Sequence, residues 1–220
     1  MILCSDYPTQ IVLSDLFGRL GYAPANAAGA LNIGFVVVLS LVDSVILVGL
    51  VIAFLRAHGE RPAAIFLGPR TIAGEARRGI VFIFVAIFMA AAVLLALQAV
   101  APWLHTVPEN PLRDLISSPR NAWLFALVVI VAGGIREEIQ RAFLLHRFEV
   151  WLGGPVVGVV VTSAAFGAGH LVQGADAAVA TAVLGAFWGI VYLRRRSVVA
   201  PMVSHAGFDL LQIAQFLSAP

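Results

Sequence analysis

The chain has 220 residues, of which 60% are hydrophobic and only 12% are charged. A soluble domain averages about 25% charged residues, so this composition excludes an ordinary soluble enzyme and predicts an all-α, polytopic bundle of transmembrane helices in contact with membrane lipid. The net charge of +2 is too small to indicate a nucleic-acid partner.

The apolar residues fall into blocks close to the length of a bilayer span, which is roughly 20 residues. A mixed segment comes first, and residues 9–21 within it predict a short helix at the membrane interface. Six predicted spans follow, at residues 28–55, 79–100, 122–148, 156–172, 177–193 and 198–217. No repeat of fixed period is present along the chain.

Every basic residue is an arginine, and the arginines alternate between the predicted loops. The loops after the first, third and fifth spans hold Arg56, Arg61, Arg70, Arg77, Arg78, Arg147 and Arg194 to Arg196. The other loops and the terminal segments hold only Arg19, Arg113 and Arg120. Because cytoplasmic loops are enriched in basic residues, both termini are predicted to lie outside. The arginine-only composition favours a GC-rich bacterium and hence a bacterial plasma membrane.

The third predicted span carries an acid pair and an arginine, Glu137, Glu138 and Arg141. A charge at membrane depth costs about 2.5–3.5 kcal/mol, so such residues usually face the bundle interior and act there. On a helix, Arg141 lies within reach of both carboxylates. Two adjacent carboxylates, one held by an arginine, suit a general base.

Two further polar sets lie on later spans. In "FGAGH", Phe166 and His170 are four residues apart and share one helical face, with small residues between them that allow close helix approach. In "SHAGFD", His205 and Asp209 have the same spacing. Asp209 could bind one ring nitrogen of His205 and leave the other nitrogen for a ligand or an oxyanion.

Each set also has a purely structural explanation. Glu137 and Arg141 could form an ion pair at a helix end near the headgroups, and a lone histidine more often joins two helices than catalyses a reaction. Asp43, in the first span, is predicted to be a structural contact to another span. The three sets together favour a site, because each adds a partner at helical spacing on a different apolar helix.

In this order, the motifs resemble those of the CPBP intramembrane glutamic endopeptidases, a family that includes CAAX prenyl endopeptidases and the Abi proteins. The matching stretches are "EEIQR" at 137–141, "FGAGH" at 166–170 and "HAGFD" at 205–209. The resemblance implies that residues 121–220 form a four-helix catalytic core. Residues 1–120 would supply the interfacial segment and two transmembrane helices of one integrated membrane domain.

The resemblance also implies roles for the residues of the acid pair and the first histidine. Glu137, assisted by His170, would activate a water molecule that attacks a peptide bond. Glu138 and Arg141 would position and tune that carboxylate. The substrate would be a membrane-associated or lipidated peptide or protein.

The same resemblance gives His205 and Asp209 the stabilisation of the developing oxyanion and implies no cofactor. A zinc site built from Glu137, His170 and His205 remains a less favoured alternative. Two other functions also stay open. The chain could be a non-catalytic membrane immunity or scaffold protein, or a proton-coupled transporter that uses these side chains as a relay.

One departure from the family pattern leaves two alignments open. The family usually has three residues between the second glutamate and the arginine, whereas only Ile139 and Gln140 lie between Glu138 and Arg141. In the first alignment Glu137 and Glu138 are the acid pair and the arginine comes one position early. In the second, Arg136 replaces the first glutamate and the protein is inactive. We favour the first alignment because it keeps both carboxylates.

Overall fold

The computed structural model describes residues 7–25, 29, 31–108 and 110–218. Throughout these ranges the regular elements are helical, apart from one isolated antiparallel bridge between Ala25 and Leu31. The prediction of an all-α protein is confirmed.

The α-helices of the described ranges are named here in chain order. They are α1 (Tyr7–Arg19), α2 (Ile33–Ala57), α3 (Pro62–Phe66), α4 (Ile72–Val100), α5 (Pro119–Val128), α6 (Glu138–Trp151), α7 (Pro155–Ala168), α8 (Ala175–Arg195) and α9 (Val199–Ser218). Residues Val129–Glu137 form a π-helix that joins α5 to α6, and this stretch is called the π segment below. Short 3-10 turns occupy Pro102–Leu104, Pro111–Ile116 and Leu171–Gln173.

The helices agree with an integral membrane protein. Within the described ranges, α2, α4 and α8 are long and apolar enough to cross a bilayer, and α7 is a shorter apolar helix. The prediction of a helical membrane protein is therefore confirmed, whereas the exact number of six spans stays a prediction. The third predicted span proves to be composite, because α5, the π segment and α6 follow one another without a loop.

Close helix approach brings α9 against the π segment. A Cβ atom added at Gly134 would lie 2.7 Å from the Cβ of Ala206, and one added at Gly133 would lie 2.9 Å from Oδ2 of Asp209. Real Cβ atoms essentially never come so close. The two glycines therefore let the polar face of α9 reach the backbone of the π segment, as small residues commonly do between membrane helices.

At the end of the bundle where α2, α6 and α8 finish and α4 begins, acids and arginines from different helices pair. Glu60 binds His146 and Arg147, Glu75 binds Arg195, and Glu149 binds Arg196. These contacts are called the end pairs below. Beside them lies an apolar cluster that includes Leu55, Phe143, Leu145 and Tyr192. This end of the bundle is the one that the arginine distribution predicts to be cytoplasmic.

Candidate active site

Two neighbouring glutamates lie where the π segment meets α6, and Glu138 points into the protein. Glu138 is 1% exposed, and its Oε1 accepts hydrogen bonds from Nη1 of Arg141 and from Nδ1 of His205, the latter at 2.8 Å. Arg141 lies three residues further along the helix and is held flat over the Phe166 ring, 4.4 Å from its centre. An arginine that binds a carboxylate and stacks on an aromatic ring is held in one orientation.

The ring of His205 is fixed by a stacked aromatic ring on one face and by a hydrogen bond at one nitrogen. It stacks on Trp188 with ring centres 3.9 Å apart, and the Trp188 indole donates to Oγ of Ser204 at 3.1 Å. Because an ionised carboxylate only accepts, Nδ1 of His205 carries the hydrogen that Glu138 binds. Glu138, rather than Asp209, is therefore the residue that orients this ring.

The second ring nitrogen of His205 faces two other acids. Its Nε2 is 3.9 Å from Oε2 of Glu137 and 3.7 Å from Oδ2 of Asp209. Both distances exceed that of a direct hydrogen bond, so Nε2 of His205 is near both acids without being hydrogen-bonded to either.

Glu137 is the more accessible glutamate and borders a cavity. Its Oε1 accepts a hydrogen bond from Nη2 of Arg136 at 3.1 Å, whereas its Oε2 is buried and has no hydrogen-bond partner among the described residues. The cavity has a volume of about 510 Å³. Its lining includes Tyr7, Gln10, Arg136, Glu137, Gln140, Arg141, Phe166 and His170. The Glu137 side chain is 22% exposed and so partly open to water, whereas its Oε2 is not.

His170 borders the same cavity from the end of α7. Its Nδ1 lies 2.8 Å from the backbone oxygen of Phe166, which can only accept. Nδ1 therefore carries the hydrogen, and Nε2 of the neutral ring is left as a proton acceptor. The phenylalanine of "FGAGH" thus fixes the tautomer of its own histidine through the helix backbone.

Arg136 and Asp43 belong to this site, although the sequence analysis gave neither a role in it. Nη1 of Arg136 binds Oδ2 of Asp43 at 2.9 Å, and the exposed fractions of the two residues are 5% and 0%. The prediction that Asp43 contacts another span is confirmed. A signal for the pair was present, because a lone acid inside an apolar span needs a cation on a neighbouring helix.

The seven charged or titratable side chains that meet here are called the central cluster. They are Asp43, Arg136, Glu137, Glu138, Arg141, His205 and Asp209. Five of the six predicted site residues belong to it, and the sixth, His170, borders the cavity together with Glu137 and Arg141. Within the described ranges no group of three or more histidine, cysteine or acidic side chains is arranged to hold a metal ion.

The geometry also bears on the two alignments of the acid pair. Arg141 binds Glu138, so the second member of the pair in the first alignment is the one that holds the arginine. Arg136 forms ion pairs with Asp43 and Glu137, so it does not take the place of the first glutamate of the acid pair. A spacing of three residues suffices for the contact because i and i+3 are neighbours on a helix. The choice between the two alignments stays a prediction.

A cluster of acids and histidines beside a cavity, inside a membrane bundle, is the arrangement expected of an intramembrane protease. The model of the Rce1-like family, described as type II CAAX prenyl endopeptidases, matches residues 119–211. This match confirms the family resemblance over the stretch from α5 into α9. No curated protein and no solved structure matches the chain.

Proposed function

We propose that this protein hydrolyses a peptide bond of a membrane-associated or lipidated peptide, with Glu137 as the base. One observation carries the proposal. Oε2 of Glu137 is buried without a hydrogen-bond partner in the described residues, although it belongs to a charged residue that borders the cavity. A buried polar atom left unpaired is costly, so its retention is best explained by a ligand that it binds during function.

The reaction follows from the chemistry of these side chains. Glu137 takes a proton from a water molecule in the cavity while Nε2 of His170 accepts a hydrogen bond from the same water, and the water oxygen attacks the peptide carbonyl carbon. The carbonyl oxygen gains negative charge and moves toward Nε2 of His205, which stabilises it when that nitrogen carries a hydrogen. Asp209 adds a second donor only when it is protonated. The leaving amine then takes back a proton from Glu137.

Glu138 and Arg141 act through the positions of the other groups. Glu138 fixes the His205 ring through Nδ1, and Arg141 holds the Glu138 carboxylate. The chemistry of this scheme requires no metal ion. Activity that persists after treatment with a strong chelator would support that view, whereas activity restored only by added zinc would contradict it.

The test compares cleavage by the full chain in proteoliposomes with cleavage by Glu137→Gln. Its probes are a farnesylated peptide ending in a CAAX sequence and the same peptide without the lipid, with products read by mass spectrometry. We expect Glu137→Gln to lower the rate by about 10²- to 10⁴-fold, because the amide cannot take a proton. Glu149→Gln, which removes an acid of the end pairs, is the matched control and should cleave normally.

Each alternative function has its own outcome in these vesicles. A protein that moves protons across the vesicle wall and cleaves neither peptide would be a transporter. A Glu137→Gln variant that cleaves as fast as the native protein would show that Glu137 is not the base. Cleavage of the lipidated peptide alone would assign the substrate class implied by the family description.

A further inference from the structure

We propose that Asp43, on α2, is a positioning residue for Glu137 and acts through Arg136, an inference that rests on Glu137 being the base. Asp43 lies outside residues 119–211, the region that matches the protease family. The first long helix would therefore contribute to catalysis and not only to anchoring in the membrane.

Both oxygens of the Asp43 carboxylate are engaged. Oδ2 accepts from Nη1 of Arg136 at 2.9 Å, and Oδ1 accepts from the hydroxyl of Thr9 on α1. The residue is fully buried. An ionised carboxylate in such a place is held only if it is paired and hydrogen-bonded, and both conditions are met here.

Arg136 transmits this constraint to Glu137. The guanidinium is planar, and its nitrogens point in fixed directions. Nη1 faces Asp43, Nη2 faces Oε1 of Glu137 at 3.1 Å, and Nε lies 3.4 Å from the backbone oxygen of Ala132. With the cation held at two other points, only Oε1 of Glu137 is engaged, and Oε2 is left toward His205 and the cavity.

The balance of charge gives Asp43 a second effect. One cation lies between two carboxylates, so the trio carries a net charge of −1. If Arg136 had Glu137 as its single acidic partner, the two would close into a neutral ion pair. By sharing the cation, Asp43 keeps the trio negatively charged beside the cavity.

The test uses the full chain in proteoliposomes and measures kcat and KM separately. Asp43→Asn keeps the shape of the side chain and removes its charge. We expect it to lower kcat by about 10- to 100-fold with KM changed less than about twofold, because the base is misplaced while the cavity is intact. Ser44→Ala is the matched control. It removes the next buried polar group of α2, whose hydroxyl donates to the backbone oxygen of Ser40 in the same helix. It should leave kcat and KM unchanged.

A double variant separates positioning from support of the fold. If Asp43 acts through Arg136, then Arg136→Gln lowers kcat by itself, and adding Asp43→Asn lowers it little further. Independent, multiplying losses would overturn the inference. So would a variant that unfolds more easily but has native kcat per folded molecule.

Asp43→Glu keeps the inference testable if Asp43→Asn does not fold. It retains the charge and displaces the carboxylate by one methylene, so kcat should fall to a value between those of the native protein and Asp43→Asn, with KM unchanged. A native kcat would overturn the inference. Glu137→Gln in the same assay distinguishes the two proposals. If it is active, the proposed function fails, whereas an inactive Glu137→Gln beside a fully active Asp43→Asn removes only the role of Asp43.

Discussion

The central cluster and the end pairs are built from the same residue types, but the arginines of the end pairs are more exposed. Arg136 and Asp43 of the central cluster have side chains only 6% and 0% exposed, whereas Arg196 and Glu149 of the end pairs are 48% and 28% exposed. Each end pair matches acids with basic groups and leaves each acid neutralised. The central cluster instead crowds four acids around two arginines and one histidine.

This difference separates a structural use of charge from a chemical one. Exposed ion pairs contribute little to stability because water competes for both partners. Glu137 is half-buried and its Oε2 has no hydrogen-bond partner among the described residues, so this oxygen adds less to the fold than the paired acids of the end pairs do. Its chemistry is the reason to keep it at that depth. The following predictions test this contrast, in order of decreasing effect.

The largest difference in stability is expected between Arg141→Gln and Arg196→Gln. The first leaves Glu138 buried without its arginine and should lower the free energy of unfolding by about 3–5 kcal/mol. The second breaks a largely exposed pair with Glu149 and should cost about 0.2–1 kcal/mol. Reversible unfolding in mixed detergent micelles measures both values. Equal losses would show that depth does not separate the two groups of charges.

Asp209 is expected to give the next largest effect, and this effect is on the reaction. Asp209→Ala removes an oxyanion donor and should lower kcat by about 10²- to 10³-fold. Asp209→Asn should stay within about tenfold of the native rate, because its amide donates a hydrogen bond without being protonated. Cleavage of one peptide by both variants in proteoliposomes measures the difference. If asparagine is as damaging as alanine, Asp209 acts as a carboxylate and not as a donor.

The smallest effect is expected at Glu60, an acid of the end pairs in the loop between α2 and α3. Burial raises the pKa of Glu60, but hydrogen bonds from Arg147 and His146 outweigh it and hold the pKa below its ordinary value of 4.5. A carboxyl whose pKa is lowered by folding stabilises the protein above the pKa of the unfolded chain and loses this effect as the pH falls through the folded value.

Glu60→Gln should therefore lower the free energy of unfolding by about 0.2–1 kcal/mol at pH 7. The native protein and the variant should converge as the pH is lowered below 4.5, the ordinary pKa of this group. The free energies of unfolding of the native protein and of Glu60→Gln, measured at steps between pH 7 and pH 3, show how the difference between them changes. A gap that widens on acidification would contradict the assigned direction of the pKa.

Much of the fold could be predicted because apolar blocks of bilayer length have few alternatives to helix. The predicted spans at 28–55 and 177–193 correspond to Ile33–Ala57 and Ala175–Arg195, and the interfacial helix at 9–21 corresponds to Tyr7–Arg19. The short helix Pro62–Phe66 was not predicted. A helix of five residues in a polar loop is too short to show a hydrophobic periodicity in the sequence.

The site could be predicted in part, for a related reason. Glu137, Glu138 and Arg141 are recognisable because their contacts follow from spacing along one helix. The pair between Asp43 and Arg136 joins residues 93 positions apart, and such a contact depends on how two helices are packed. Tyr7 and Gln10 were likewise missed as residues that line the cavity, since the sequence does not show where α1 lies on the bundle.

The π segment makes the chain between Pro119 and Trp151 a helix with one wide stretch in its middle. In a regular α-helix each added residue turns the side chains by about 100°. Counting positions backwards from Glu138 as if the helix were uniform would therefore assign wrong faces to the residues of α5. Because a π-helix needs more residues for each turn than an α-helix, the stretch Val129–Glu137 sets how the two glutamates face relative to α5.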